Sequence, residues 1–408
     1  VSQAAAAARE VPRLLVGRGL RAFVDGYVAV LLPAYLLALG YDIWHVGLLS
    51  TATLLGSALA TLALGVWGHR ASSRFLLLAA ALLMAATGLG FAGLTDFWPL
   101  LLVAFAGTLN PSAGDVSVFL PLEHARLSHA AEGDARTRLF ARYSLTGTFC
   151  AALGALAAGV PDALAALGVD RLTALRGMFV GYAAVGVSIW LLYAGIVRQP
   201  AQGQAAAPAP LGPSRRVVVR LAALFSLDSF AGGLIVNSLL ALWLFERFGL
   251  SLTAAGAFFF WAGLLSAFSQ LLAPRVAKRI GLLNTMVFTH IPASLFLILA
   301  AFAPNLWLAV AFLFARAALS QMDVPARSAY VMSVVTPAER TAAASFTAVP
   351  RSLAAALSPS LGGALFAAGW LAAPLVACGC LKIAYDLALW QSFRRHPADD
   401  VISNPDSN

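Results

Sequence analysis

Apolar segments of about 20 residues or more recur along the whole chain, and no other feature restricts its fold so strongly. As helix, each segment is long enough to cross the roughly 30 Å hydrocarbon core of a bilayer. They fall near residues 22–40, 46–67, 75–94, 98–120, 139–160 and 174–197. A second set falls near 217–243, 252–273, 282–303, 306–333, 343–368 and 370–392. Composition identifies the solvent. Of the 408 residues, 60% are hydrophobic and only 11% are charged, whereas an ordinary soluble domain carries about 25% charged residues. So few charges cannot coat a large water-soluble fold, which excludes a large soluble enzyme, a disordered chain and a disulfide-stapled secreted domain. The expected fold class is an all-α membrane protein with twelve transmembrane helices in two pseudo-symmetric six-helix bundles.

Residues 198–216 form the one long stretch rich in Pro, Ala and Gln, and they read as a flexible cytoplasmic linker. The expected domains are therefore an N-terminal bundle over 1–197 and a C-terminal bundle with a short cytoplasmic tail over 217–408. Arginine and lysine set the orientation. With both termini cytoplasmic, nineteen of the 27 basic residues gather on that side, and only Arg171, Arg176 and Arg247 lie opposite. This sorting accounts for the formal net charge of +9 without a nucleic-acid partner, since the basic residues form no long run. The first residues lack a short h-region followed by a cleavage site, so no removable leader is expected.

The halves repeat. FVDGYVAVLLPAYLLALG (23–40) resembles FSLDSFAGGLIVNSLLALW (225–243), and GDVSVFLPLEHARL (114–127) matches MDVPARSAYVMSVV (322–335). Shortly downstream, DARTRLFARYSL (134–145) parallels AERTAAASFTAVPRSL (338–353). Three landmarks in one order indicate a duplicated six-helix unit, a common device of secondary transporters. Between the second and third segments lies GVWGHRASSR (65–74), which is similar to the loop motif G-x-x-x-D-R-x-G-R-R of the major facilitator superfamily. Gly65, Arg70 and Arg74 match that motif, while His69 stands where the acidic residue is expected. The chain thus resembles that superfamily over nearly its whole length. The resemblance implies a twelve-helix fold, transport of a small molecule by alternating access, and a monomer.

Charges inside the apolar segments are costly, so each needs a reason. Asp25 and Asp228, early in the first segment of each half, are candidates for carrying a proton. Arg21, one turn before Asp25, is also placed to neutralise it. Asp115 and Asp323 are a symmetric pair. Arg316, Asp323 and Arg327, spaced by seven and four, share one helical face. Arg142 and Arg351 are placed to pair across helices with Asp115 and Asp323. This duplicated set reads as a gate network, with direct substrate binding as the alternative. Lys382 and Asp386, one turn apart, suit a pair within one helix. Asn110, Asn237, Gln270, His290 and Gln321 are uncharged candidates for lining a cavity.

Cys150, Cys378 and Cys380 lie in apolar stretches without the partners a metal site needs, and there is no phosphate-binding G-x-x-x-x-G-K-[ST]. No cofactor, metal or catalytic set is expected. The functional expectation is a proton-coupled secondary transporter in a bacterial inner membrane, exporting an amphipathic or drug-like compound. One alternative is an organic-anion transporter using the intramembrane arginines; another is a non-transporting membrane receptor.

Overall fold

Long apolar runs satisfy their backbone polar groups internally as helix, and every regular element among the described residues is helical. The computed structural model describes residues 3–112, 117–128, 130, 131, 133–197, 212–336 and 339–394. The first eight α-helices are α1 (Gln3–Ala38), α2 (Ile43–Trp67), α3 (Ser73–Gly93), α4 (Phe97–Ala106), α5 (Phe119–Ser128), α6 (Gly133–Ala157), α7 (Val160–Ala166) and α8 (Arg171–Ala194). The rest are α9 (Arg215–Gly233), α10 (Asn237–Phe248), α11 (Leu252–Ile280), α12 (Leu282–Ala301), α13 (Leu306–Leu319), α14 (Asp323–Ser333), α15 (Arg340–Ala367) and α16 (Ala373–Phe393). Polar residues punctuate the runs. Asp42, Ser72, Asp170 and Asn305 each accept a hydrogen bond from a backbone N–H of the helix that follows, capping α2, α3, α8 and α13. Gly281, with φ +86°, turns the chain between α11 and α12 in a single residue.

Ten helical segments are long and apolar enough to cross a membrane. The all-helical class is as expected, whereas length and hydropathy alone do not yield twelve. The 10-residue α4 is too short, and α15 is not among the ten. Hydropathy also hides breaks. The fourth expected segment leaves helix at Gly107, ahead of Pro111. The seventh divides into α9 and α10, and the tenth into α13 and α14, with Pro325 in the first turn of α14, where its missing N–H costs nothing. Arg316 therefore lies on α13, while Asp323 and Arg327 lie on α14. The expected single helical face does not exist as one continuous helix.

The chain forms two compact units, one of Val1–Ala205 with Val236–Phe260 and the other of Ala206–Ile235 with Trp261–Asn408. Each repeats the same pairing. In the first, α1 packs along α6 and α3 along α8; in the second, α9 packs along α15 and α12 along α16. Small residues set these approaches. A Cβ at Gly26 would strike the Ala151 carbonyl and one at Gly154 the Phe23 carbonyl, so α1 and α6 lock reciprocally. Gly233 meets Ala355 and Ser358 in the corresponding pair of the second unit. Replacing Gly154 with Leu is expected to destabilise the first unit by about 1–3 kcal/mol or more, because the backbones must part. Denaturant titration of the micelle-solubilised protein reads this directly, and an unchanged midpoint would contradict the contact. Large apolar side chains such as Leu82, Leu102 and Phe268 are more than half exposed, as lipid-facing residues are.

Candidate functional site

Many of the charges that the helices carry inward pair with one another, around Glu123 in the first unit and around Asp228 in the second. In the first, Arg21 is 2% exposed and Glu123 is fully buried. Their side chains form a two-pronged ion pair, with Arg21 donating to the two Glu123 oxygens at 2.7 and 2.8 Å. The hydroxyls of Tyr143 and Tyr193 donate to the same carboxylate, and the Arg21 guanidinium lies 4.3 Å from the centre of the Phe119 ring. A buried carboxylate needs this many donors to offset its lost hydration. α1, α5, α6 and α8 are thereby bonded through one acid.

Next to this cluster, Glu10 accepts from Arg126 at 2.5 Å and from the Val197 backbone N–H at 2.8 Å. Arg126 also donates to Ser73 Oγ. Arg13 and Arg74 each donate at 2.6 Å to carbonyls at the end of α8, those of Gly195 and Ala194. Cations suit that negative helix end. Arg74 of the loop motif therefore caps a helix rather than pairing with an acid. Gly65 and Arg70 are exposed. The backbone of His69 lies in the short 3-10 turn Gly68–Arg70, and its side chain lies outside the described residues.

Asp25 is 5% exposed, and its Oδ1 is buried without a hydrogen-bond partner. Spacing places Arg21 to neutralise it, but Arg21 turns to Glu123, and Asp25 makes no ion pair among the described residues. The neighbouring Arg18 lies over the Tyr143 ring at 5.2 Å. A separate cavity of about 340 Å³, lined by Ala34, Leu37, Phe245, Leu252 and Arg171 among others, sits at the far end of α1, away from these charges.

The second unit gathers more of the expected residues, in different pairs. Asp228, 4% exposed, accepts from Lys382 Nζ at 2.6 Å and lies 3.3 Å from Arg327. Arg327 also pairs with Asp323, one turn away on α14, as their spacing implies. Lys382 and Asp386 do not pair with each other. Lys382 reaches across to α9, and Asp386 accepts from His290 at 3.0 and 3.1 Å. Opposite charges on facing helices win because both partners are buried, whereas an i,i+4 pair contributes only a few tenths of a kcal/mol. His290 is thus part of the charge network rather than an isolated polar residue. Gln270 donates to Gln321 at 3.4 Å.

The other expected pairs are not seen among the described residues. Asp115 lies outside the described residues, and Arg142 is exposed on α6. Arg351 forms no ion pair with Asp323, whose carboxylate is taken by Arg327. Arg316 and Arg351, both half-buried, make no ion pair among the described residues. Asn110 accepts from the Ser112 hydroxyl at 2.7 Å within its own turn, and Asn237 opens α10. Glu10, Glu123, Tyr143 and Tyr193 escaped sequence reasoning. The internal repeat aligns Glu123 with Val331, so symmetry gave no reason to single it out.

Comparison with known proteins agrees with this architecture. The chain is 25% identical to an uncharacterized membrane protein of Saccharomyces cerevisiae, YJR124C, over 94% of both chains. Among solved structures, the nucleoside transporter NupG superposes with a TM-score of 0.72 at 16% identity, covering 94% of this chain and 99% of that one. The inward-open xylose transporter XylE of E. coli gives 0.73 at 15% identity, covering 93% of this chain and 96% of that one. A bacterial homologue of the human lysosomal transporter Spinster gives 0.71 at 16% identity, covering 97% and 96%. The family model of the Major Facilitator Superfamily matches residues 14–293 and 221–405, which together span nearly the whole sequence. With its apolar helices, its duplicated helix pairs and this match, the chain belongs to the Major Facilitator Superfamily of membrane transporters.

Proposed function

We propose that the protein is a proton-coupled secondary transporter that moves a small amphipathic organic compound by alternating access, in the export direction. It would work as a monomer in a cytoplasmic membrane with both termini on the cytoplasmic side, an orientation supported by the arginine distribution. The observation that carries the coupling is Asp25. Its Oδ1 is buried without a partner, while every other buried acid described above is held by a cation or by donors. An ionised oxygen buried without a donor is costly, and a bound proton removes that charge. Asp25 is therefore the acid free to take up and release a proton as the halves move, whereas Asp228 is occupied by Lys382 and Arg327.

Proteoliposome flux tests this reading. A compound is first selected by thermal shift from a panel of amphipathic cations, neutral drugs, nucleosides, sugars and organic anions. A pH gradient is expected to drive its accumulation, and a protonophore to collapse it. Flux indifferent to both would overturn the coupling.

A second reading rests on Arg316 and Arg351, two half-buried positive charges with no ion-paired acid among the described residues. They suit an organic anion as cargo. If the cargo is an anion, Arg351→Ala is expected to weaken its transport about 10- to 100-fold, as for a lost charge-assisted contact of about 1.5–3 kcal/mol. Transport of a cation or neutral compound would only be reduced by the same change. Equal losses for both cargo types would argue that Arg351 holds the fold rather than the substrate.

A further inference from the structure

His290 sits between a carboxylate on one side and an ammonium on the other. Its Nδ1 lies 3.0 and 3.1 Å from the two oxygens of Asp386. Its Nε2 lies 3.4 Å from Lys382 Nζ and 3.8 Å from Asp228 Oδ1. A carboxylate can only accept, so the ring proton of neutral His290 is on Nδ1. Nε2 is then a lone pair, and the ammonium of Lys382, which can only donate, points an N–H toward it. The same ammonium donates to Asp228 Oδ1 at 2.6 Å.

We propose that Nε2 of His290 is a proton-binding site of the second unit, and that a proton bound there displaces Lys382 from Asp228. The step is a simple addition. One proton passes from water to the Nε2 lone pair, no bond between heavy atoms changes, and Lys382 stays an ammonium. The ring becomes an imidazolium 3.4 Å from another cation, where Lys382 had been its hydrogen-bond donor. Its new N–H faces Asp228 Oδ1, so two cations now compete for one oxygen. Asp386 holds the imidazolium through Nδ1 and keeps the ring from turning away.

Charge balance supports the site. The groups bonded into the network are Asp228 from α9, His290 from α12, Asp323 and Arg327 from α14, and Lys382 and Asp386 from α16. With the ring neutral, three carboxylates face two permanent cations, and one added proton makes the set neutral. Of the other groups near α12, Tyr385 meets the His290 ring edge-on at 6.2 Å, and Arg316 of α13 and Cys378 of α16 form no ion pair with any of the set. Arg351 of α15 forms no ion pair with any of the set. This inference deepens the proton-coupled reading and rests on it for its meaning in transport; the binding of the proton is measured without substrate or flux.

The test is an NMR titration of the full-length protein in micelles, with ¹⁵N in the histidine rings and at lysine Nζ. The chain has 6 histidines but only two lysines, Lys278 and Lys382, so the lysine side-chain spectrum is simple. At alkaline pH one imidazole signal, absent from His290→Gln, is expected in the Nδ1–H form. As the sample is acidified from there it should become doubly protonated, and the Lys382 signal should shift with the same midpoint. In His290→Gln the Lys382 signal should stay still over the same titration. Lys278→Arg, at an exposed position, assigns the lysine signals even where the histidine variant fails to fold. Asp386→Asn should release the tautomer, giving a mixed neutral ring. An Nε2–H ring in the native protein, or a Lys382 signal unmoved while His290 titrates, would overturn the proposal.

Discussion

Replacing Glu123 with Ala is expected to lower the stability of the first unit by about 3–5 kcal/mol, the usual cost of breaking a buried pair from one side. The size follows from what remains. Arg21, 2% exposed, would keep its charge without its paired carboxylate, and Tyr143 and Tyr193 would each lose an acceptor. Glu123→Gln should cost less, since the amide oxygen still accepts. The double change Arg21→Met with Glu123→Leu should recover most of the loss, because removing both charges removes the desolvation problem as well. Unfolding of the micelle-solubilised variants in graded denaturant reads these differences. A loss below about 1 kcal/mol for Glu123→Ala would mean that the acid is hydrated rather than buried.

Asp228→Ala should be comparably damaging, at about 3–5 kcal/mol, because it leaves Lys382 without its ion-paired acid and takes one of two from Arg327. Lys382 and Arg327 lie 2.6 and 3.3 Å from its oxygens, and Arg327 alone retains a second acid in Asp323. Adding Lys382→Met to Asp228→Ala is expected to restore stability relative to the single variant. A coupling of about 0.5–3 kcal/mol between the two changes is the signature of direct contact. If the two losses simply add, Lys382 is not the partner of Asp228 in solution.

These two clusters show how far the sequence is legible. The helical class follows from hydropathy, because a bilayer admits little else for a chain of long apolar runs. The breaks at Gly107 and between α13 and α14 do not. Hydropathy records burial rather than continuity, and Ser320, Gln321 and Met322 are not strong helix breakers. Gly107 at the first break, and Pro111 and Pro325 just beyond the two breaks, are the local signs of them.

Charge pairing divides in the same way. Asp323 and Arg327 are neighbours on one helix, so their spacing reveals them. Arg21 and Glu123 are 102 positions apart, and Lys382 and Asp228 are 154 apart. Only packing brings such groups together, and once buried they outbid the local partners that spacing suggests. For this reason spacing alone matches Asp25 to Arg21 and Lys382 to Asp386, and it gives no sign of Glu123.

The central claim is that Asp25 carries the coupling proton while the other buried acids hold the helices together. Substituting Asp25 with Asn removes the titrating group and keeps its shape. The most direct measurement compares native and Asp25→Asn protein in proteoliposomes, using the compound selected by thermal shift. Two rates are read for each: accumulation driven by a pH gradient, and exchange of labelled for unlabelled compound without one. The account predicts that gradient-driven accumulation by Asp25→Asn falls to the level of protein-free liposomes while exchange continues. Gradient-driven accumulation equal to that of the native protein would contradict it.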